Sequence, residues 1–308
     1  MKLTGIIWPV LLLLTVQKMH AQGCSDAGVC SIHAVKDNTI SANEPEAGSN
    51  TIKTGPGYAK GERGINIWTW QFEYTRQLSN TFEVSAKINF ISASGELAKT
   101  NGLGDLFFSF SHAFSKKRNW QLSVLGGLKL PLSNADKSNN GIPLPMPYQT
   151  SLGTTDLLLG VSARRNSFGA TLAYQQPLNS NNKNKFLQTD YPPASAASKY
   201  LSTNNFSRKA DIVTKFSYNV KTGKQLSIIP GLLGIYHIAN DSYANSTSKV
   251  EIINSRGLTL NGILVVRYQV NKKCGFEFSA ASPFVVREKR PDGLTRKFVT
   301  SLEYFIRF

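Results

Sequence analysis

His237, Asp241 and Ser242 stand within one six-residue stretch, "HIANDS", the nearest approach in this chain to a nucleophilic constellation. Acyl transfer needs a hydroxyl, an imidazole to take its proton and a third group to orient the ring. A histidine at a strand end can equally hydrogen-bond a neighbouring loop. No phospholipase or protease motif surrounds these residues, so an outer-membrane lipase is the minor reading. The other strand histidine, His112, falls on an apolar face. Cys24 and Cys30, in "GCSDAGVC", are spaced for a small disulfide loop in an oxidising compartment, with a lipidated Cys24 as the competing reading. The spacing of the pair matches no common zinc finger, and Cys274 is left over. A larger set of reactive groups is spread out: Glu73, Glu83, Lys87, Lys129, Lys215, Arg267, Glu277, Glu303 and Arg307. With both signs present, these side chains suit a polar path that sorts solutes by charge. They suit salt-bridged packing inside a narrow barrel equally well.

Position along the chain decides how such groups are presented. After residue 64 the apolar residues recur with period two almost everywhere, the signature of strands with one apolar face. In "INIWTWQFEYTRQL", Trp68, Trp70, Phe72 and Tyr74 share one face while Thr69, Gln71, Glu73 and Thr75 share the other. The closing "FVTSLEYFIRF" alternates to its last residue, with Leu302, Tyr304, Ile306 and Phe308 on one face. Eleven such segments are clear, and "NTIKTGPGYAKGE" supplies a weaker twelfth. Short basic turns join them into hairpins and place Lys116, Lys117, Arg118, Arg164, Arg165, Lys221, Lys224, Lys272 and Lys273 on one rim. Long polar loops, expected at roughly 92–103, 133–152, 179–207 and 239–255, separate the hairpins on the other. Short turns opposite long loops, with aromatic residues gathered at strand ends, predict an all-β transmembrane antiparallel barrel of about 12 strands, 14 on the upper count. The apolar face then meets lipid and the charged set faces the lumen. Leu125, Gly127, Ile229, Gly231, Leu233, Ile235, Ile263 and Val265 add an apolar or small stripe to that lumen, suited to a greasy solute or to packing. Pro230 and Pro283 each remove a ladder donor and predict kinks. Gly102 and Gly104 in "NGLGD" lack the lysine and helix of a phosphate loop and are read as a tight turn into a strand, with Asp105 on loop amides.

The first residues assign the compartment. Lys2, the apolar run Ile6–Val16 and Ala21 read as a signal peptide over 1–21, too short to span a bilayer. The remainder divides into an N-terminal luminal segment, 22–48, and the barrel, 49–308. The formal charge is +16, and removing Lys2 and Lys18 with the leader leaves +14. For an exported chain that positive charge points to anionic lipid headgroups or solutes rather than nucleic acid. The basic turns are placed to meet outer-membrane lipid phosphates. No cofactor motif is present.

Several stretches resemble outer-membrane transporters of the long-chain fatty-acid transporter superfamily, in the branch labelled MetA pathway of phenol degradation. They are "GLGDLFFSFSHAF", "IPLPMPYQTSLGTTDLLLG", "PFVVREKRPDGLTRKFVTSLEYFIRF" and "GCSDAGVC", which are similar to Bacteroidetes-type members. The resemblance implies passive uptake of small hydrophobic or amphipathic molecules, a plug formed by 22–48, and a strand kink that opens a side exit, for which Pro283 is the candidate. Separately, the terminal aromatic Phe308 resembles the C-terminal signal read by the outer-membrane barrel-assembly machinery. A structural or surface-binding barrel without transport is the alternative.

Overall fold

The computed structural model describes residues 47–114, 120–179, 181–293 and 296–308. The leader, the luminal segment 22–48 except its last two residues, Cys24, Cys30, Lys116, Lys117 and Arg118 lie outside the described residues. Twelve long strands form β1 (Asn50–Gly61), β2 (Asn66–Gln77), β3 (Phe82–Ser94), β4 (Lys99–Ala113), β5 (Trp120–Pro131) and β6 (Asp156–Arg165), then β7 (Phe168–Pro177), β8 (Asp211–Tyr218), β9 (Leu226–His237), β10 (Gly257–Gln269), β11 (Cys274–Val285) and β12 (Arg296–Arg307). Each pairs antiparallel with its neighbours in sequence. β12 returns to β1, so the sheet closes into a barrel with no free edge. A short thirteenth strand, Val220–Thr222, continues beside β9 where Asn219 interrupts β8. The weakly alternating first segment is a full strand, paired on both sides.

Closure explains the terminal phenylalanine. The Phe308 N–H donates to Asn50 O at 3.0 Å and the Asn50 N–H donates back to Phe308 O at 2.8 Å, so the last residue completes the seam.

The outward face follows the pattern of two. Trp68, Trp70, Phe110, Leu159, Leu172 and Leu302 are exposed, while the residues between them are wholly or partly buried. Among the described strand residues, outward charges occur only near strand ends, at Lys60, Arg76, Lys99, Arg165 and Lys297. That leaves an uninterrupted apolar belt of a kind water-soluble surfaces rarely carry. Among the described residues no helix is long and apolar enough to cross a membrane.

Two expectations need correction. Residues 92–103 are not a long loop, because β3 and β4 run on to the pair Ser94–Lys99 and leave a four-residue connection. Nor does "GLGD" lead into a strand. It lies inside β4, where the register with β3 shifts between Ile88 and Phe90. Gly104 sits there because a Cβ would meet Thr150 O at 3.0 Å and Ile91 at 2.9 Å. The bulge therefore needs a residue without a side chain.

Candidate functional site: the barrel interior and its mouth

Register turns the scattered charges into a track. Read across neighbouring strands, Lys53 opposes Glu73, Glu73 opposes Lys87, Lys87 opposes Phe107, Phe107 opposes Lys129, and Lys129 opposes Asp156. Directly opposed residues in an antiparallel pair have Cβ atoms about 5 Å apart. This single row therefore runs round half of the inner wall, all of it buried. Because the strands are staggered, it begins near the turn-side rim on β1 and finishes at the loop-side end of β5 and β6.

Both ends of the track are anchored. At the turn side, Lys53 Nζ lies 3.3 Å from Glu277 Oε2, which also accepts from Arg267 Nε at 3.0 Å. Arg267 and Arg307 both approach the ring of Phe305, at 5.6 Å and 5.7 Å from its centroid, within cation–π range. Glu303 is buried opposite Glu277, and Glu83 is partly buried near the start of β3. At the loop side, Lys129 Nζ lies 2.9 Å from Asp156 Oδ2 and 3.0 Å from Thr154 Oγ1, with Asp105 at 3.9 Å. Gln175 donates to the same Asp156 oxygen, and Ser151 donates to Asp105. Lys129 and Asp156 are fully buried, so removing Lys129 takes the closest cation from Asp156, while removing Asp156 leaves Lys129 with the more distant Asp105.

The opposite arc is apolar. Leu125, Leu158, Ala173, Val213 and Leu233 pack together, with Ile235 and Ile263 against them. They belong to β5–β10, whereas the turn-side charges belong to β10–β12 and β1–β3. Strands β6 and β7 face β12 and β1 across a ring of twelve, so the two surfaces confront one another. Lys215 is buried within the apolar arc, opposite Leu233 and Thr171.

The loops fold inward over the mouth. Tyr148 and Phe186, both at 0% exposure, pack with Leu144 and Tyr200 on the inward-facing Ala59, Ile67, Ile91 and Ala93 of β1–β3. Asn184 ties the loops together: its amide donates to Ala135 O at 2.8 Å and Leu144 O at 3.0 Å, and its oxygen accepts from Thr203 Oγ1 at 2.7 Å. Burial, with Tyr148 beside it, pushes the Tyr200 phenol pKa up.

Beside this cap lies a buried ionic knot. His237 Nδ1 is 2.6 Å from Asp211 Oδ1, and its Nε2 is 2.8 Å from Asp241 Oδ1. Arg208 pairs with Asp211 and lies 3.5 Å from Asp292, while Arg287 pairs with Asp292 and lies 3.5 Å from Asp241. Burial works against the charge on Asp292, yet Arg287 and Arg208 outweigh it and hold the carboxyl pKa below its ordinary value. Burial likewise opposes the charge on Arg208, and Asp211 and Asp292 outweigh it and raise its pKa.

This geometry rules out His237 as the base for Ser242, since both ring nitrogens already face carboxylates. Sequence reasoning singled out His237 and Asp241 but missed Asp156, Arg208, Asp211, Arg287 and Asp292, because alternation does not show which strands and loops are brought together. It also missed Phe305, which shares a face with Glu303 and Arg307. Period two alone placed it there. Pro230 faces outward opposite Leu264 without shifting that register, and it stands beside the break in β8 at Asn219. Near Pro283 the register with β10 shifts between Leu260 and Asn261, and the ladder from β11 to β12 ends at the pair Ala281–Val299. Beyond it, Phe284 and Val285 are exposed; Val285 stays paired with Leu260 of β10, and the unpaired side of this stretch is the one toward β12.

No protein-family model and no curated protein matches the chain. Among solved structures, the NanC porin is similar over 83% of this chain and 98% of that one, at 10% identity and a TM-score of 0.45. The KdgM porin is similar over 84% and 99%, at 9% identity and 0.45. The CymD monoaromatic hydrocarbon channel is similar over 94% of each, at 11% identity and 0.42. Identities and TM-scores this low describe a broad likeness in shape, and what the interior does follows from its own geometry.

Proposed function

We propose that the chain is an outer-membrane channel for passive uptake of small hydrophobic or amphipathic molecules. The observation that carries this reading is the charged row from Lys53 to Asp156, whose turn-side members stand across the barrel from the apolar cluster around Leu125 and Leu233. A polar head can move along the row while an apolar body lies against the cluster. The apolar outer belt suits a bilayer, where Lys or Arg at mid-depth costs about 2–4 kcal/mol. The unpaired wall beside Pro283 is the candidate side exit into lipid. Such an exit, and the preference for greasy solutes, are what the resemblance to the fatty-acid transporter superfamily implies.

The packed mouth supports a second reading, a surface-binding barrel that transports nothing. Full-length protein refolded into liposomes separates the two, with ion conductance and uptake of a small aromatic carboxylic acid measured side by side. Uptake without steady conductance is the expected result and supports a greasy route. Steady conductance means an open polar pore, in which neutralising both Glu73 and Lys87 should alter ion preference. Silence in both assays, with the barrel shown to be folded, removes transport and leaves the binding barrel.

A further inference from the structure

A neutral imidazole has one N–H, so it can donate on one side of its ring only. His237 has a carboxylate oxygen at hydrogen-bond distance from each nitrogen, Asp211 at 2.6 Å and Asp241 at 2.8 Å. Only the imidazolium donates to both. Its charge also completes a balance, because Arg208, Arg287 and protonated His237 meet Asp211, Asp241 and Asp292. All six are buried, and an odd charge among them is poorly tolerated. We infer that His237 is a proton-operated latch that holds the loops closed over the barrel mouth and releases them when it loses its proton.

The knot is built to transmit that change. Asp211 and His237 are fixed on the adjacent strands β8 and β9, opposite one another in register. Asp241 is not on a strand. It belongs to loop 238–256, and its carboxylate also accepts from the Lys209 N–H at 2.8 Å and lies 3.5 Å from Arg287. Its own N–H donates to Ser255 Oγ at 2.8 Å, and Ser255 O accepts from Arg287 at 2.7 Å. Residues 181–210, which carry Arg208 and Lys209, loop 238–256, and residues 286–293, which carry Arg287 and Asp292, thus converge on one carboxylate. When His237 is neutral and keeps its proton toward Asp211, its Nε2 lone pair confronts Asp241, and the loop carrying Asp241 is the part free to move. The remaining charges around the ring do not remove this conflict. Asp156 on β6 adds negative charge near Arg208, and Arg256 and Glu288 lie at the outer rim. A polar depression of about 400 Å³ is lined by Asn240, Asn254, Arg256 and Glu288, sequence neighbours of Asp241, Ser255 and Arg287. The latch concerns the loops and is separate from whatever the barrel passes.

Hydrogen exchange of the loop amides, corrected for intrinsic rates, tests this in the full-length refolded protein between about pH 5 and about pH 9, which spans the ordinary histidine range of about pH 5–8 and extends beyond it. Protection of loops 205–211 and 238–256 should fall at least about tenfold across that range, with the strands unchanged. In Asp241→Asn, a neutral His237 can donate to Asp211 and accept from the new amide, so the step should vanish and protection should stay high. A flat wild-type profile overturns the latch, and so does the same step in Asp241→Asn. Nitrogen NMR of the His237 ring in the wild type gives a check that needs no variant to fold. An imidazolium while the loops are protected is expected, and a neutral ring under those conditions overturns the proposal.

Discussion

The wall and the mouth of this barrel are built on the same strands by different means. In the wall every inward side chain has neighbours set by register, so Lys53, Glu73 and Lys87 follow one another as the strands do. In the mouth the partners come from far apart in the chain, as when Asn184 bonds Ala135 and Arg287 pairs across to Asp241. The wall is stabilised by ladder hydrogen bonds that survive most side-chain changes. The mouth is stabilised by particular side chains, so it should be the part that yields first. Regions that open independently of a stable core are the usual sites of gating.

The sharpest way to break this contrast is to remove a side chain on which only the mouth depends. Phe186 is fully buried between the loops and the inner face of β1–β3, stacked on Tyr191 at 5.1 Å. Phe186→Ala should destabilise the cap by about 3–5 kcal/mol through lost burial and the cavity left behind. Protease cleavage within 178–210 should rise steeply, while the heat-resistant gel mobility typical of a folded barrel stays as it was. A barrel that unfolds together with its loops would show that wall and mouth are one cooperative unit.

The same contrast accounts for what the sequence made legible. Alternation of Trp68, Trp70 and Phe72 against Thr69, Gln71 and Glu73 is a local signal, and it located both the strands and their inward faces. Pairing is not local. That Lys129 meets Asp156 depends on the length of loop 132–155 and on the stagger of β5 against β6, neither of which alternation encodes. The bulge at Gly104 looked like a loop boundary because two glycines so close together usually mark a turn. The aspartates of the knot looked like ordinary polar residues: Arg208 and Arg287 stand close to Asp211 and Asp292 in sequence, but nothing local shows that these pairs meet Asp241 and His237. His237 followed by Asp241 was the one visible trace of it.

A second variant sharpens the contrast on the wall itself. Leu158 and Leu159 are adjacent on β6, one at 2% exposure in the apolar cluster and the other at 50% on the outer belt. Leu159→Lys places a charge on the belt and should lower barrel stability in a bilayer by about 2–4 kcal/mol, with little effect in a detergent that lets the ammonium reach water. Folding titrations in urea with lipid vesicles measure it. Equal stability in both settings would mean that the outer face does not meet lipid.

The smallest expected effect lies at acid pH and returns to the mouth. Arg287 and Arg208 hold the Asp292 pKa below its ordinary value, so this carboxylate stabilises the folded cap when ionised. Its contribution is therefore present above the unfolded-state value, about 3.9 for an aspartate, and is lost as pH falls through the lower folded-state value. Arg208, with its pKa raised, stays charged throughout. The cap should then be most protected in a window bounded on the acid side by Asp292 and on the alkaline side by His237. Exchange of the loop amides followed downward from about pH 5 should show a modest loss confined to residues 286–293 and their partners. The effect is small because Arg287 keeps Asp241 and Arg208 keeps Asp211 when Asp292 is protonated. Asp292→Asn should abolish the acid-side loss and leave the alkaline step in place. An unchanged acid-side loss in that variant would assign it to another carboxylate.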